Sequence, residues 1–284
     1  MKQWNKGVWL VAALLLVGWL WGTPPGLLGK ADAVGYAVCH RIDVRSFHWF
    51  GRQLPLCARC TGMYLGAMLA FVFQLVVGAR RSALPPLRVW AVMGALFLAF
   101  GVDGLNSYLH LNMMQTLLPW APHLYEPSNS LRLFTGSGMG VTIALALLPV
   151  FNQTIWALDG ERPAEALPAI SDLRTLFVLL ALTALLNILV LIDNPWVLYP
   201  LALISSLGVV VILTLVYTMV WVMVFRCENR YHHLAQLALP LAAGFTVALL
   251  QIAFLDAVRY WLTGSWAGFP LSKNLIEPLF RRPL

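Results

Sequence analysis

The residues best equipped for chemistry lie between Cys39 and Gly66. They run as Cys39-His40-Arg41, then Arg45-Ser46-Phe47-His48, then Gly51-Arg52-Gln53-Leu54-Pro55-Leu56-Cys57-Ala58-Arg59-Cys60-Thr61-Gly62. Cys57 and Cys60 form a C-x-x-C that opens a long apolar run, so both fall at a helix start. Free backbone N–H groups and the helix dipole favour a thiolate there, and Arg59 adds to that field. Together with Cys39 and His40 they have the composition of a tetrahedral Cys/His zinc site, provided a local turn lets the adjacent Cys39 and His40 both reach one ion. Two other uses stay open: thiol–disulfide exchange at Cys57 and Cys60 if the segment faces an oxidising compartment, and simple packing of small buried thiols at a helix start. Cys227 stands alone in a polar link and reads as an ordinary thiol.

A second polar group consists of Asp103, Asn106, Glu126, Asn129, Arg132 and Thr135, followed by Gly136. Ionisable groups at membrane depth are costly and face one another or a cavity, so Asp103 is expected to pair with Arg132. That pair either braces helices or lines a vestibule. Asp256 and Arg259, close to one helical turn apart, are expected to pair with each other. His48, His110, His123 and the pair His232-His233 read as hydrogen-bonded interface residues rather than ligands. No catalytic residue is assigned.

These residues need elements to hold them, and composition says what kind. Hydrophobic residues make up 60% of the 284-residue chain and charged residues 11%. Mean hydropathy is +0.76. A soluble domain carries about a quarter charged residues, and a bilayer span needs roughly 20 apolar ones. The expectation is an all-α polytopic membrane protein of about seven transmembrane helices, forming a single membrane domain over residues 1–284. The net charge of +7 sits at span ends rather than in one stripe, which argues for interfacial anchors and against nucleic acid.

The spans read as Val8–Leu28, Cys57–Val77, Leu87–Leu105, Leu131–Val150, Leu173–Ile192, Trp196–Phe225 and Leu234–Leu262. The first is read as an uncleaved span rather than a signal peptide, because its apolar core exceeds the roughly 7–15 residues of a signal sequence. Residues 30–56 are expected to be polar and irregular. The stretch 106–130, with Pro119, Pro122 and Pro127, is too interrupted to span. Residues 152–172 read as a solvated loop with Asp159, Glu161, Arg162 and Glu165. Gly136, Gly138 and Gly140 lack a preceding strand and a phosphate-binding lysine, so they read as packing glycines. Basic residues divide almost evenly between the two sides, with Lys273, Arg281 and Arg282 on the side of the cysteines. The short links holding Arg80-Arg81 and Arg226–Arg230 place the N-terminus inside and the cysteine segment outside the cell.

Cys39-His40-Arg41, Arg45-Ser46-Phe47, Gly51 with Gln53 through Gly62, Asp103-Gly104, and Asn129 with Leu131-Arg132, Thr135-Gly136 and Gly140 together resemble an uncharacterised family of bacterial and archaeal integral membrane proteins. The resemblance covers about residues 34–150, with 151–284 as additional C-terminal spans. It implies a multi-span core in a prokaryotic plasma membrane with those polar residues gathered, and no activity. Where the family pattern has a histidine before the glutamine this chain has Arg52, and where it has a glutamine after Asp-Gly this chain has Ser107 nearby.

The leading expectation is therefore a multi-pass protein in contact with the lipid bilayer, its small-molecule or protein partner unassigned. A metal ion, zinc, would be bound for structure by Cys39, His40, Cys57 and Cys60 at the extracytoplasmic ends of the helices. A membrane thiol-disulfide oxidoreductase using Cys57 and Cys60, and a structural subunit of a larger membrane complex, are the alternatives.

Overall fold

The computed structural model describes residues 2–110, 120, 124–157 and 167–267. His123, Pro119 and Pro122, the loop charges Asp159, Glu161, Arg162 and Glu165, and the terminal Lys273, Arg281 and Arg282 lie outside the described residues. Eight α-helices are described: α1 Lys2–Gly22, α2 Leu27–Val38, α3 Ala58–Gly78, α4 Leu87–Leu109, α5 Asn129–Ile155, α6 Leu173–Leu191, α7 Pro195–Val224 and α8 Ala238–Thr263. Six helices are long and apolar enough to cross a membrane, or seven if the bent pair α1 and α2 counts as one span. The protein is an all-α multi-pass membrane protein, and its only described sheet is a small hairpin of β1 His48–Trp49 and β2 Arg52–Gln53.

Local chemistry explains most boundaries. Ser128 caps α5 by accepting from the Leu131 N–H, Asp172 caps α6 through the Thr175 N–H, and Asn194 caps α7 through the Trp196 N–H. Pro195 then sits in the first turn of α7, where its missing N–H costs nothing. The fourth span is longer than apolarity alone predicts, because Asn152 continues α5 while its side chain donates to the carbonyls of Ala79 and Arg81.

The N-terminal region departs from expectation. Residues 8–28 do not form one straight span: α1 stops at Gly22, and α2 leaves at 104° to it. Pro24, Pro25 and a left-handed Gly26 (φ 81°) occupy the corner, and Lys30 folds back to donate to the carbonyl of Thr23 at 2.9 Å, close to the C-terminal carbonyls of α1. Residues 30–56 are likewise only partly irregular, since α2 is a helix with a buried face from Leu28 to Tyr36.

At the centre, α3 and α5 lie side by side and parallel, meeting through glycines. A Cβ on Gly136 would lie 2.1 Å from the Arg59 carbonyl oxygen, and one on Gly140 would lie 1.9 Å from that of Met63. Gly62 and Gly66 return the contact against Leu133 and Ser137. Each helix thus carries a small-residue pair four positions apart, which lets the backbones touch. Gly138 instead faces Leu96 of α4. Ala67, Phe71, Met93, Val141 and Leu145 fill the space between α3, α4 and α5, and α7 and α8 close the other side around Val209 and Ile252.

Candidate functional site

The glycine contacts fix Arg59 and Cys60, on the first turn of α3, against α5. Cys57 is the N-cap of α3 and Cys39 is the C-cap of α2. The two caps are brought together because Gly35 of α2 lies flush against Pro55: a Cβ there would sit 2.0 Å from the Pro55 carbonyl oxygen. The Sγ of Cys39 accepts from the backbone N–H groups of Arg41 and Cys57, each at 3.4 Å. Arg41 makes this possible by adopting a left-handed conformation, φ 51°.

The result is a trio of sulfurs. Those of Cys39, Cys57 and Cys60 all lie within 4.8 Å of one another, none is in a disulfide, and Cys39 is buried. Cys39 and Cys60 hydrogen-bond to Cys57, and with the field of Arg59 they hold its thiol well below the ordinary range. The same sharing with Cys57 pushes Cys39 up to about 11. Zinc–sulfur bonds of about 2.3 Å in a tetrahedron put sulfurs about 3.8 Å apart, so sulfurs within 4.8 Å of one another are compatible with three positions of such a site. His40 is exposed and does not belong to the trio; its carbonyl accepts from Arg259. Cys227 lies among Ile155, Trp156 and Met219 at the opposite end of the bundle.

The loop from Arg41 to Leu56 is held from within. Gln53 donates to the Arg41 carbonyl and to the Ser46 hydroxyl, both at 2.8 Å. Asp32 of α2 receives Arg41 at 2.9 Å and also Arg52. Arg52 of the hairpin thus closes an ion pair to α2. Trp49 donates to the Pro195 carbonyl at 2.9 Å and ties the hairpin to α7.

The second polar group assembles at the same end, with a different pairing from the one expected. Asp103 is bonded by Arg59, not by Arg132. Both arginines approach this end, but the α3–α5 contact sets Arg59 over α4, where it also meets the Asp103 carbonyl at 3.0 Å. Thr135 and Tyr125 place hydroxyls 3.1 Å from the Asp103 carboxylate. Arg132 turns instead to Asn129 at 2.8 Å and to the Ser107 hydroxyl at 3.4 Å. Asn106 is buried and bonds the Tyr125 carbonyl and the Leu124 N–H. Glu126 is exposed at the margin, 4.0 Å from His110.

Besides Arg59, three participants are additions to the expected group: Arg45, whose guanidinium donates to the Ser107 carbonyl at 2.8 Å, Ser107 itself, and Tyr125. Arg45 stands in the motif Arg45-Ser46-Phe47 and Ser107 only near Asp103-Gly104, with nothing in their spacing to show that they meet. Asp256 and Arg259 also part company. Asp256 accepts from the Trp19 indole at 3.1 Å, and Arg259 donates to the carbonyls of Tyr36 and Cys39, at 2.5 and 2.6 Å, while stacking on the Tyr36 ring. The arginine is drawn to the C-terminal carbonyls of α2, which have no helical partner.

Comparison with known proteins gives a similarity without an activity. Residues 39–146 match the family described as "Predicted membrane protein (DUF2085)". An uncharacterized protein of Methanocaldococcus jannaschii is 27% identical over 124 residues, 44% of this chain and 70% of that one. One of Methanothermobacter thermautotrophicus is 28% identical over 108 residues, 38% of this chain and 82% of that one. No solved structure matches. Over residues 39–146, where the thiol trio and the Asp103 group lie, the chain is therefore similar to an uncharacterised family of membrane proteins.

Proposed function

We propose that the protein binds a metal ion, zinc, at the three thiols, and that the ion is structural: it fastens the end of α2 and the hairpin loop over the ends of α3, α4 and α5. The observation that carries this reading is the meeting of three sulfurs, from the end of α2 and the start of α3, within 4.8 Å of one another. Thiolate ligands and tetrahedral geometry are what zinc prefers. His40, next to Cys39, is the proposed fourth donor once its side chain turns inward; a water in that position is the alternative. The site is assigned to the extracytoplasmic side. Asp103, Asn106, Asn129, Arg132 and Thr135, with Glu126 at the rim, brace the same helix ends in this reading.

Elemental analysis and thiol titration on one detergent-purified sample test it. About one zinc per chain, with Cys57→Ala lowering metal content and unfolding midpoint together, is the expected result, because ligand loss removes folding energy. Cys227→Ala should change neither. His40→Ala separates the two fourth donors: metal is lost if the imidazole binds and retained if water does. Metal-free protein whose thiols disappear until reductant is added would replace this reading with thiol-disulfide exchange at Cys57 and Cys60.

A further inference from the structure

Three guanidinium groups converge on one serine. Arg45 donates to the Ser107 carbonyl at 2.8 Å, Arg59 to its hydroxyl at 3.0 Å, and Arg132 approaches the same hydroxyl at 3.4 Å. They come from three separate elements: the turn Asp43–Arg45, the start of α3 and the start of α5. Arg132 is buried and Arg45 half-buried, so their repulsion is poorly screened by water.

Among the described residues the only carboxylate bonded to this group is Asp103, and it is taken by Arg59. Arg45 and Arg132 have no acidic partner there. Capping the carbonyls at the end of α4 explains one N–H of Arg45 and one of Arg59, but it does not neutralise charge. The Nε of Arg59 is also buried without an acceptor among the described residues. Three positive charges against one negative leave a surplus of two.

We propose that Arg45, Arg59 and Arg132 form a binding site for a phosphate group, an oxyanion whose charge, one as a diester and up to two as a monoester, offsets this surplus. Guanidinium groups are suited to it because their planar N–H pairs bond two oxygens at once, and phosphate offers enough oxygens for three of them. The N-termini of α3 and α5 lie at the same end and add favourable partial charge. The phosphate belongs either to a lipid headgroup or to a soluble ligand, and the site chemistry is common to both. The assignment is independent of the thiol trio, since none of its residues is a metal donor.

The test uses the full chain, with metal content measured on every sample. Thermal unfolding is followed for delipidated protein in neutral detergent with inorganic phosphate or with chloride at equal ionic strength, since unequal screening would mimic binding. It is then followed in nanodiscs of phosphatidylcholine with or without phosphatidic acid. Phosphate, phosphatidic acid or both should raise the midpoint of the wild-type protein. Arg45→Gln, in the turn Asp43–Arg45 outside the helices, should weaken the response, read as the shift from the variant's own phosphate-free midpoint, roughly tenfold or more in phosphate concentration, as expected for losing a charge-assisted bond. Arg45→Lys should restore part of it. A response to phosphate in detergent identifies a soluble ligand, and a response confined to phosphatidic acid identifies a headgroup. No response to either, or an equal response in wild type and Arg45→Gln, overturns the proposal.

Discussion

Arg259, near the end of the last helix, donates to the backbone carbonyl of Cys39 at 2.6 Å across 220 residues of sequence. The same guanidinium bonds the carbonyls of Tyr36 and His40 and lies 3.9 Å from the centre of the Tyr36 ring. A residue beyond the family-matched segment therefore holds the end of α2 in the place from which Cys39 reaches Cys57. Hydrogen bonds from a charged donor contribute about 1.5–3 kcal/mol each.

Arg259→Leu is accordingly expected to loosen Cys39 without touching a thiol. Metal retention against a chelator should fall by about tenfold or more, a tenfold change corresponding to about 1.4 kcal/mol. Arg259→Lys, which keeps one charge but loses the fork, should fall between. Unchanged retention in Arg259→Leu would show that the α2 end is held by Asp32 and Gly35 alone.

The glycine seam gives a sharper packing prediction. Gly136→Ala places a methyl 2.1 Å from a backbone oxygen of α3, and because a backbone cannot rotate away, the two helices must separate. Overpacking of this kind costs about 1–3 kcal/mol and should lower the unfolding midpoint by several degrees. Gly94→Ala is the control: nothing lies within 4 Å of its added Cβ, and the helix gains up to about 1 kcal/mol of propensity. Equal midpoints for the two variants would mean that α3 and α5 are not in backbone contact.

These residues also show what one sequence reveals. The spans from α3 onward can be read because each is a long, mostly apolar run, several of them bounded by a physical stop: Arg80-Arg81, Pro85-Pro86, or Asp193-Asn194-Pro195. The first span was misread for the same reason. Leu27 and Leu28 continue the apolar count past a corner at Pro24-Pro25-Gly26, and hydropathy does not register direction. The cysteines could be read as a group, because few residue types have so narrow a use. Their fourth member could not, since adjacency of His40 to Cys39 fixes neither side chain. Asp103 clearly needed a cation, but Arg59 and Arg132 both lie at its end of the bundle, and only the glycine contacts decide between them. Ser107 stands near Asp103-Gly104 in sequence, but nothing in that placement shows that three arginines meet on it.

The Asp103 pairing is testable by a double-mutant cycle. Removing one partner of a buried ion pair costs about 3–5 kcal/mol, because the other charge is left uncompensated. Asp103→Asn and Arg59→Gln should thus each destabilise strongly, and the double variant should cost far less than their sum. Coupling between Asp103→Asn and Arg132→Gln should be smaller by at least about 1 kcal/mol. Equal coupling to the two arginines would mean that Asp103 shares its charge between them.

Asp172 offers a test in pH. Its carboxylate caps α6, accepting from the Thr175 N–H at 2.8 Å and from the Thr175 hydroxyl at 3.1 Å. The backbone N–H of Thr175 is the largest cause of a carboxyl pKa below the ordinary value. A group whose pKa is depressed on folding stabilises the fold above its unfolded pKa, about 3.9 for aspartate, and loses that contribution as pH falls through the folded value. Asparagine accepts the same N–H bonds and does not titrate. The midpoint of the wild type relative to Asp172→Asn should therefore be level from about pH 7 to 5 and decline below about pH 4. A difference that stays constant through that range would show that the cap contributes nothing as a charge.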